Sequence, residues 1–397
     1  MRFFISLCLV LWLVVPIGAQ NNEENEDLSD LNCAVSPDQL LGQANSGFAG
    51  AANSGFAGAG DETIEEAGLV IDVESLTSAW DTSTAGMEDV AILIVDDFSG
   101  DEPTEADDWQ TAAHGWLVLD VLRQLRDELP TAVAERVTLV QIDVADDTAF
   151  RSDLMREELE MVVDQLRQDE GIERFVVNMS FVFVACADGE FNFQRFLDRH
   201  EDDPDYSVIE AAGGDLDYFE TVLDDESVTA MDQRDFEVDD ENDRGGPPAF
   251  VVEQLAILEL FELSQLQSDT LRDYFRDRHE VTIIPVAASG NFKWKRPFFP
   301  ARWAEVISVS AVMGETSDMW RQSNRGEIST SGAWFRFGDD YYSAGTSFAA
   351  PVASMRLAVD QTQTEPTCTM RGNAPQLASN GRYNDVELDE AISDRCR

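Results

Sequence analysis

The run Val90-Ala-Ile-Leu-Ile-Val95 restricts the fold more than any other stretch. Six apolar residues follow one another without alternation, four of them β-branched, and the run stops at Asp96-Asp97. A strand with one wet face would alternate apolar and polar residues. An unbroken run needs apolar cover on both faces, the situation of a strand inside a mostly parallel sheet. Further strand-like runs lie at Arg136–Ile142, Phe175–Ser180, Val281–Ala288 and Glu305–Val312. Helical spacing marks His114–Leu129, Leu154–Leu166, Glu253–Leu266 and Asp269–Arg278, and an apolar helix-like run follows Ser347 through Val359. Strands alternating with helices predict an α/β fold of three layers, with a mostly parallel central sheet and helices on both faces. In such sheets functional groups gather at the carboxyl ends of the strands.

The flanks read differently. Met1–Ala19 has a positive charge at Arg2, a short apolar run and small residues at its end, the pattern of a secretory signal peptide. Export is therefore expected, to an extracellular or periplasmic location. No later stretch has the length and hydropathy of a membrane span. Residues 20–88 form an acidic, Gly-rich segment or linker, a candidate pro-region, in which Asn45-Ser-Gly-Phe-Ala-Gly-Ala51 recurs as Asn53-Ser-Gly-Phe-Ala-Gly-Ala59. The main domain spans 89–362 and carries an acidic insertion at 188–248, read as a solvated surface loop. A Cys-containing tail occupies 363–397. Once Cys8 has left with the signal, Cys33, Cys186, Cys368 and Cys396 remain, and their three possible pairings stay open.

Charge narrows the partners. With 78 acidic against 27 basic residues the formal net charge is -51. A surface this negative repels nucleic acid and anionic membranes, and long-range steering would favour basic substrates. A monomer without stable membrane association is expected.

Three polar groups fall where strands end or helices begin. Asp96 closes the first strand, with Asp97 beside it as a rival. His114 opens the first long helix. Ser347, in Gly345-Thr-Ser-Phe-Ala-Ala-Pro351, opens the last helix, where free N–H groups and the macrodipole favour a developing negative charge. Of the three histidines, His200 and His279 lie in charged surroundings, which leaves His114 as the best general base. A serine hydroxyl needs such a base, and the base needs a carboxylate to fix its tautomer. Asn291, in Ser289-Gly290-Asn291, offers an amide donor for an oxyanion, and the Ser347 N–H offers a second. Trp294, Trp303 and Trp334 read as core or rim aromatics.

Taken together and in order, these segments resemble the subtilisin-like serine proteases. Val95-Asp-Asp97 is similar to the strand bearing that family's aspartate, with Asp96 at its place, and His114-Gly115 is similar to its His-Gly motif. Val177-Asn-Met-Ser180 resembles the strand bordering the substrate. Val286-Ala-Ala-Ser-Gly-Asn291 resembles the segment bearing the oxyanion asparagine, Phe299-Pro-Ala301 with Val306–Ala311 the segment after it, and Gly345–Pro351 the serine motif. The resemblance covers about Asp89 to Gln361. It implies a subtilisin-like fold and a secreted serine endopeptidase that acts on polypeptides through Asp96, His114 and Ser347 and an acyl-enzyme, with Asn291 at the oxyanion. It places Ser180, Phe181, Val182, Ser289 and Gly290 along the substrate. No cofactor is required; calcium is a candidate structural ion, although no stretch reads as a dedicated calcium loop. The alternative is a catalytically inactive binding protein of the same fold, motivated by the short Asp96–His114 interval, Phe98 and the acidic insertion.

Overall fold

Residues Val90–Asp96 do form a strand buried on both faces. Val90, Ile92 and Ile94 enter one apolar cluster and Ala91, Leu93 and Val95 another, so the period of two along the strand separates two cores. The structure, a computed structural model, describes residues 31–35, 70–186, 266–366 and 386–387, except 81, 83–85, 105–107, 110, 145–149, 267, 278–279, 292–296, 314–318, 321–322 and 339–340. Outside these lie the expected signal peptide, the repeats, the acidic insertion, nearly all of the helix expected at 253–266, His200, His279, Trp294, Cys368 and Cys396.

The elements in chain order, a single helical turn at Thr131–Ala134 left unlabelled, are β1 (Leu31–Val35), α1 (Val73–Ser78), β2 (Val90–Asp96), α2 (His114–Asp127), β3 (Val137–Asp143), β4 (Phe150–Arg151), α3 (Ser152–Asp169), β5 (Arg174–Met179), β6 (Val182–Cys186), α4 (Thr270–Arg276), β7 (Thr282–Ala288), β8 (Ile307–Met313), β9 (Ile328–Phe337), β10 (Tyr341–Ala344), α5 (Thr346–Gln361) and β11 (Val386–Glu387). The large sheet runs β10-β9-β8-β7-β5-β2-β3 and is parallel except at β10; β11 joins β9. The architecture is α/β with a mostly parallel sheet. The apolar faces of α2 and α5 enter the first core, and those of α3 and α4 enter the second.

Strand order reverses at β2. The chain moves from β2 to β3 on one side, then returns to place β5 on the other side. Loops leaving β2 and β5 therefore diverge, and a crevice opens at their carboxyl ends. Asp96 ends β2, Ser180 follows β5, and Ser289 follows β7, three adjacent strands.

α5 is buried along nearly its whole length, every residue but Arg356, and its apolar residues lie on all sides. Its far end is tied down by Arg174, whose guanidinium donates to the carbonyls of Gln361 and Gln363, each at 2.5 Å.

A smaller sheet was not legible in the sequence. β1 lies between β4 and β6, antiparallel to both, with Val35 opposite Val182 and Leu31 opposite Cys186. Residues 31–35 belong to the segment that composition assigns to a linker. Asn32 and Ala34 are nonetheless buried, and the Asn32 amide donates to Asp269 Oδ2 at 2.6 Å. Burial pushes the Asp269 carboxyl above its ordinary range, against the opposing hydrogen bonds from Ser152, Asn32 and the Leu271 and Arg272 backbone.

Candidate active site

Asp96 presents its carboxylate at the end of β2, where the Asp97 N–H donates to Oδ1 at 2.8 Å. His114 Nδ1 lies 2.9 Å from Oδ1 and 3.0 Å from Oδ2. An ionised carboxylate only accepts, so Nδ1 carries the proton and Nε2 of the neutral ring keeps its lone pair. Asp96, not Asp97, is the partner. α2 begins at His114 because the Gly115 N–H donates to the Asp97 carbonyl at 2.7 Å, which seats the first turn on the residue after Asp96. Phe98 packs edge-on against Trp116, with ring centroids 5.2 Å apart, and so supports that turn. The His114 ring lies 6.1 Å from that of Phe348, which brings the imidazole to the start of α5.

The start of α5 is shaped by its proline. Pro351 has no N–H to give the carbonyl four residues back, that of Ser347. Ser180 Oγ supplies the missing donor at 3.0 Å, and Ser347 Oγ donates in return to the Ser180 carbonyl at 3.1 Å. Behind this pair, Asn178 Nδ2 donates to Ser180 Oγ at 3.0 Å and Ser354 Oγ donates to Asn178 Oδ1 at 3.1 Å. All four side chains are buried, and the chain of bonds locks α5 to β5.

Asn291 is held by Thr346. Asn291 Oδ1 accepts from the Thr346 N–H and from Thr346 Oγ1, both at 2.9 Å, while Thr346 Oγ1 accepts from the Gly290 N–H at 3.1 Å. A backbone N–H can only donate, so the amide oxygen is fixed toward Thr346 and Nδ2 faces the other way. The N–H groups of Phe348 and Ala349 go to the Gly345 carbonyl. The Ser347 N–H and Asn291 Nδ2 are then left without a protein partner among the described residues. A Cβ built on Gly345 would sit 3.1 Å from Asn291 Nδ2 and 3.6 Å from the Ser347 nitrogen. One atom-sized spot is thus near both donors, and it stays open because residue 345 has no side chain. A developing oxyanion would fit there.

Each remaining expected site residue has a place. Ser180, Ser289 and Asn291 are buried, and so is Ser347 at 3 % exposure. Phe181 and Val182 are buried too, Phe181 against Phe183 and Phe183 in turn against Trp303. Trp303 is a core residue and Trp334 is half-buried against the first core. The edges of β6 are taken, one by β1 and the other by a bond from the Phe183 N–H to the Phe299 carbonyl at 2.6 Å. Sequence reasoning missed the hold of Thr346 on Asn291, although Thr346 lay inside a quoted motif. Among the described residues, no three His, Cys, Asp or Glu side chains are grouped to hold a metal ion, and no helix is long and apolar enough to cross a membrane.

No family model matches the chain, and no curated protein matches it. Among solved structures it is similar to the prenylagaramide maturation protease PagA, at 14% identity and a TM-score of 0.37, over 81% of this chain and 96% of that one. It is also similar to a lanthipeptide protease, at 12% identity and a TM-score of 0.36, over 85% of this chain and 97% of that one.

These comparisons do not place the chain among the subtilisin-like serine proteases, and the family expected from the motifs is corrected accordingly. So is the serine endopeptidase working through an Asp–His–Ser relay and an acyl-enzyme, together with its inactive alternative in that family. The physical reason lies in the kind of signal used. Short Gly-rich, Ser-rich and His-Gly segments mark strand–helix junctions in many α/β sheets, and they fix local turns, not a family. The relay is also unmade: Ser347 gives its single hydroxyl proton to the Ser180 carbonyl, not to the imidazole. What stands is the α/β architecture with its mostly parallel sheet.

Proposed function

We propose that the chain is a peptidase, a hydrolase of polypeptide substrates, with His114, held by Asp96, as its base and with Asn291 and the Ser347 backbone N–H as its oxyanion donors. The observation that carries this reading is the spot beside Gly345 shared by two free donors, at the strand ends where an Asp96-held imidazole also meets α5. His114 Nε2 takes the proton of the oxygen that attacks the scissile carbonyl. The carbonyl electron pair moves onto oxygen, which Asn291 Nδ2 and the Ser347 N–H receive. Collapse expels the amine, and the imidazolium returns the proton to it. Over the whole reaction one water is consumed and no cofactor takes part. An extended peptide pairs with extended main chain. Because β6 is covered, such pairing is confined here to Ser180-Phe181. Export through the first nineteen residues belongs to the same reading.

Labelling with a fluorophosphonate probe tests the site. The folded wild-type protein is expected to hydrolyse peptides without phosphonylation of Ser347, whose hydroxyl proton goes to the Ser180 carbonyl, so that water is the attacking oxygen. Phosphonylation of Ser347 that vanishes in Ser347→Ala would put that hydroxyl, not water, at the reacting atoms and overturn this account of the attack. A folded protein that neither takes the probe nor cleaves peptides would overturn the reading.

A further inference from the structure

The turn Ser289-Gly290-Asn291 is gripped from two sides. On one side stands Thr346, as described above. On the other stands Asn324, fully buried and 33 residues away in sequence from Asn291. Asn324 Nδ2 donates to the Ser289 carbonyl at 3.0 Å, the Asn324 N–H donates to the Gly290 carbonyl at 2.8 Å, and Ser289 Oγ donates back to the Asn324 carbonyl at 2.9 Å. Asn324 is itself fixed: its carbonyl also accepts from Ser323 Oγ at 2.8 Å, and Ser323 Oγ accepts from the Ala311 N–H of β8 at 2.9 Å. Gly290 adopts φ +110°, and a Cβ there would lie 2.6 Å from Asn324 Nδ2. The turn and the asparagine side chain are therefore fitted together with no space between them.

We infer that Asn324 is the positioning residue of the oxyanion donor: it sets the plane of the turn from which Asn291 projects, and it acts on catalysis only through Asn291. This rests on the peptidase reading. The argument is one of completeness. Oxyanion stabilisation needs a donor held before the charge develops, since a donor that must reorganise loses much of its value. Thr346 fixes the amide's rotation, but the backbone that carries Asn291 sits beyond the end of β7, where no ladder holds it. The last ladder contact is the Ser289 N–H to the Val309 carbonyl, at 3.0 Å. After that bond, the two Ser289 bonds and the Gly290 bond to Asn324 take over, and they tie the turn to β8.

A double-mutant cycle separates positioning from mere structure. The single variants Asn291→Ala, Asn324→Asp and Ser289→Ala and the two pairs with Asn291→Ala are compared in peptide hydrolysis, with melting temperatures taken alongside. Asn324→Asp keeps the shape but replaces the Nδ2 donor with a buried carboxyl oxygen facing the Ser289 carbonyl; Ser289→Ala deletes a single bond and is the mild member should the first fold poorly. Loss of the Asn291 donor is expected to lower kcat by about 10²–10³. Asn324→Asp is expected to lower kcat about tenfold or more and Ser289→Ala a few-fold, with KM within about twofold in each. In the Asn291→Ala background both further losses should vanish to within about twofold. Losses that persist undiminished on top of Asn291→Ala overturn this inference and leave the peptidase reading standing. An Asn291→Ala protein as active as wild type, or a folded wild type without activity, overturns the reading itself.

Discussion

Asp96→Asn is expected to lower kcat/KM for peptide hydrolysis by about 10⁴, with the melting temperature nearly unchanged. The carboxamide has the shape of the carboxylate but only one acceptor oxygen. That oxygen is claimed by the Asp97 N–H, which in the wild type donates to Oδ1 at 2.8 Å. The amide nitrogen then stands in place of Oδ2, which lies 3.0 Å from His114 Nδ1. It can only donate, so Nδ1 must become the acceptor and the proton moves to Nε2. The ring has then lost the lone pair that takes up the substrate-side proton, and the imidazolium formed later has lost its counter-charge. Kinetic constants measured on peptide substrates, with circular dichroism as the control for folding, check this. Activity within tenfold of wild type would show that Asp96 does not set the tautomer.

Gly290→Ala is expected to destabilise the protein by about 4 kcal/mol and to abolish activity. Two costs add. At φ +110° a side chain is strained wherever it points, and the new Cβ would meet Asn324 Nδ2 at 2.6 Å and Phe298 Cδ2 at 2.9 Å. The amide cannot retreat without breaking its bond to the Ser289 carbonyl. The aromatic ring is hemmed in as well, because the Phe298 N–H is bonded to that same carbonyl at 3.0 Å. Relief must come from the turn itself, and the turn carries Asn291. Thermal denaturation should show a fall of roughly 10 °C. A stable and active Gly290→Ala protein would mean that the turn has slack, and the oxyanion spot would then not be preorganised.

Legibility in the sequence followed the range of the interactions. The central strands could be read because burial on both faces leaves a local trace, an unbroken apolar run such as Val90–Val95. The contact between Asp96 and His114 rests on local facts, a carboxylate at the end of such a strand and a histidine at the start of a helix. β9 was missed: Ile328–Phe337 mixes serine, glycine, tryptophan and arginine, and its place is set by β8 and β10 on either side. β1 was missed for the same reason, since Leu31–Val35 gains its order from β6, about 150 residues on, and from Asp269. Within the site, the reciprocal bonds between Ser180 and Ser347 follow from Pro351, yet nothing in the sequence says which distant hydroxyl fills the vacancy. Asn324 shows the same limit, because its partners lie 34 and 35 residues back in the chain. The family expected from the motifs failed at a different level, since each motif reports a local turn and a family is a statement about the whole chain.

The central claim is tested most directly by incubating the folded protein, beside His114→Ala, with an unbiased mixture of peptides and identifying new termini by mass spectrometry. The account predicts cleavage by the wild type and a rate lower by about 10³ or more in the variant, because the imidazole that Asp96 orients is then gone. Absence of cleavage by well-folded wild type, or equal cleavage by the two proteins, would contradict it.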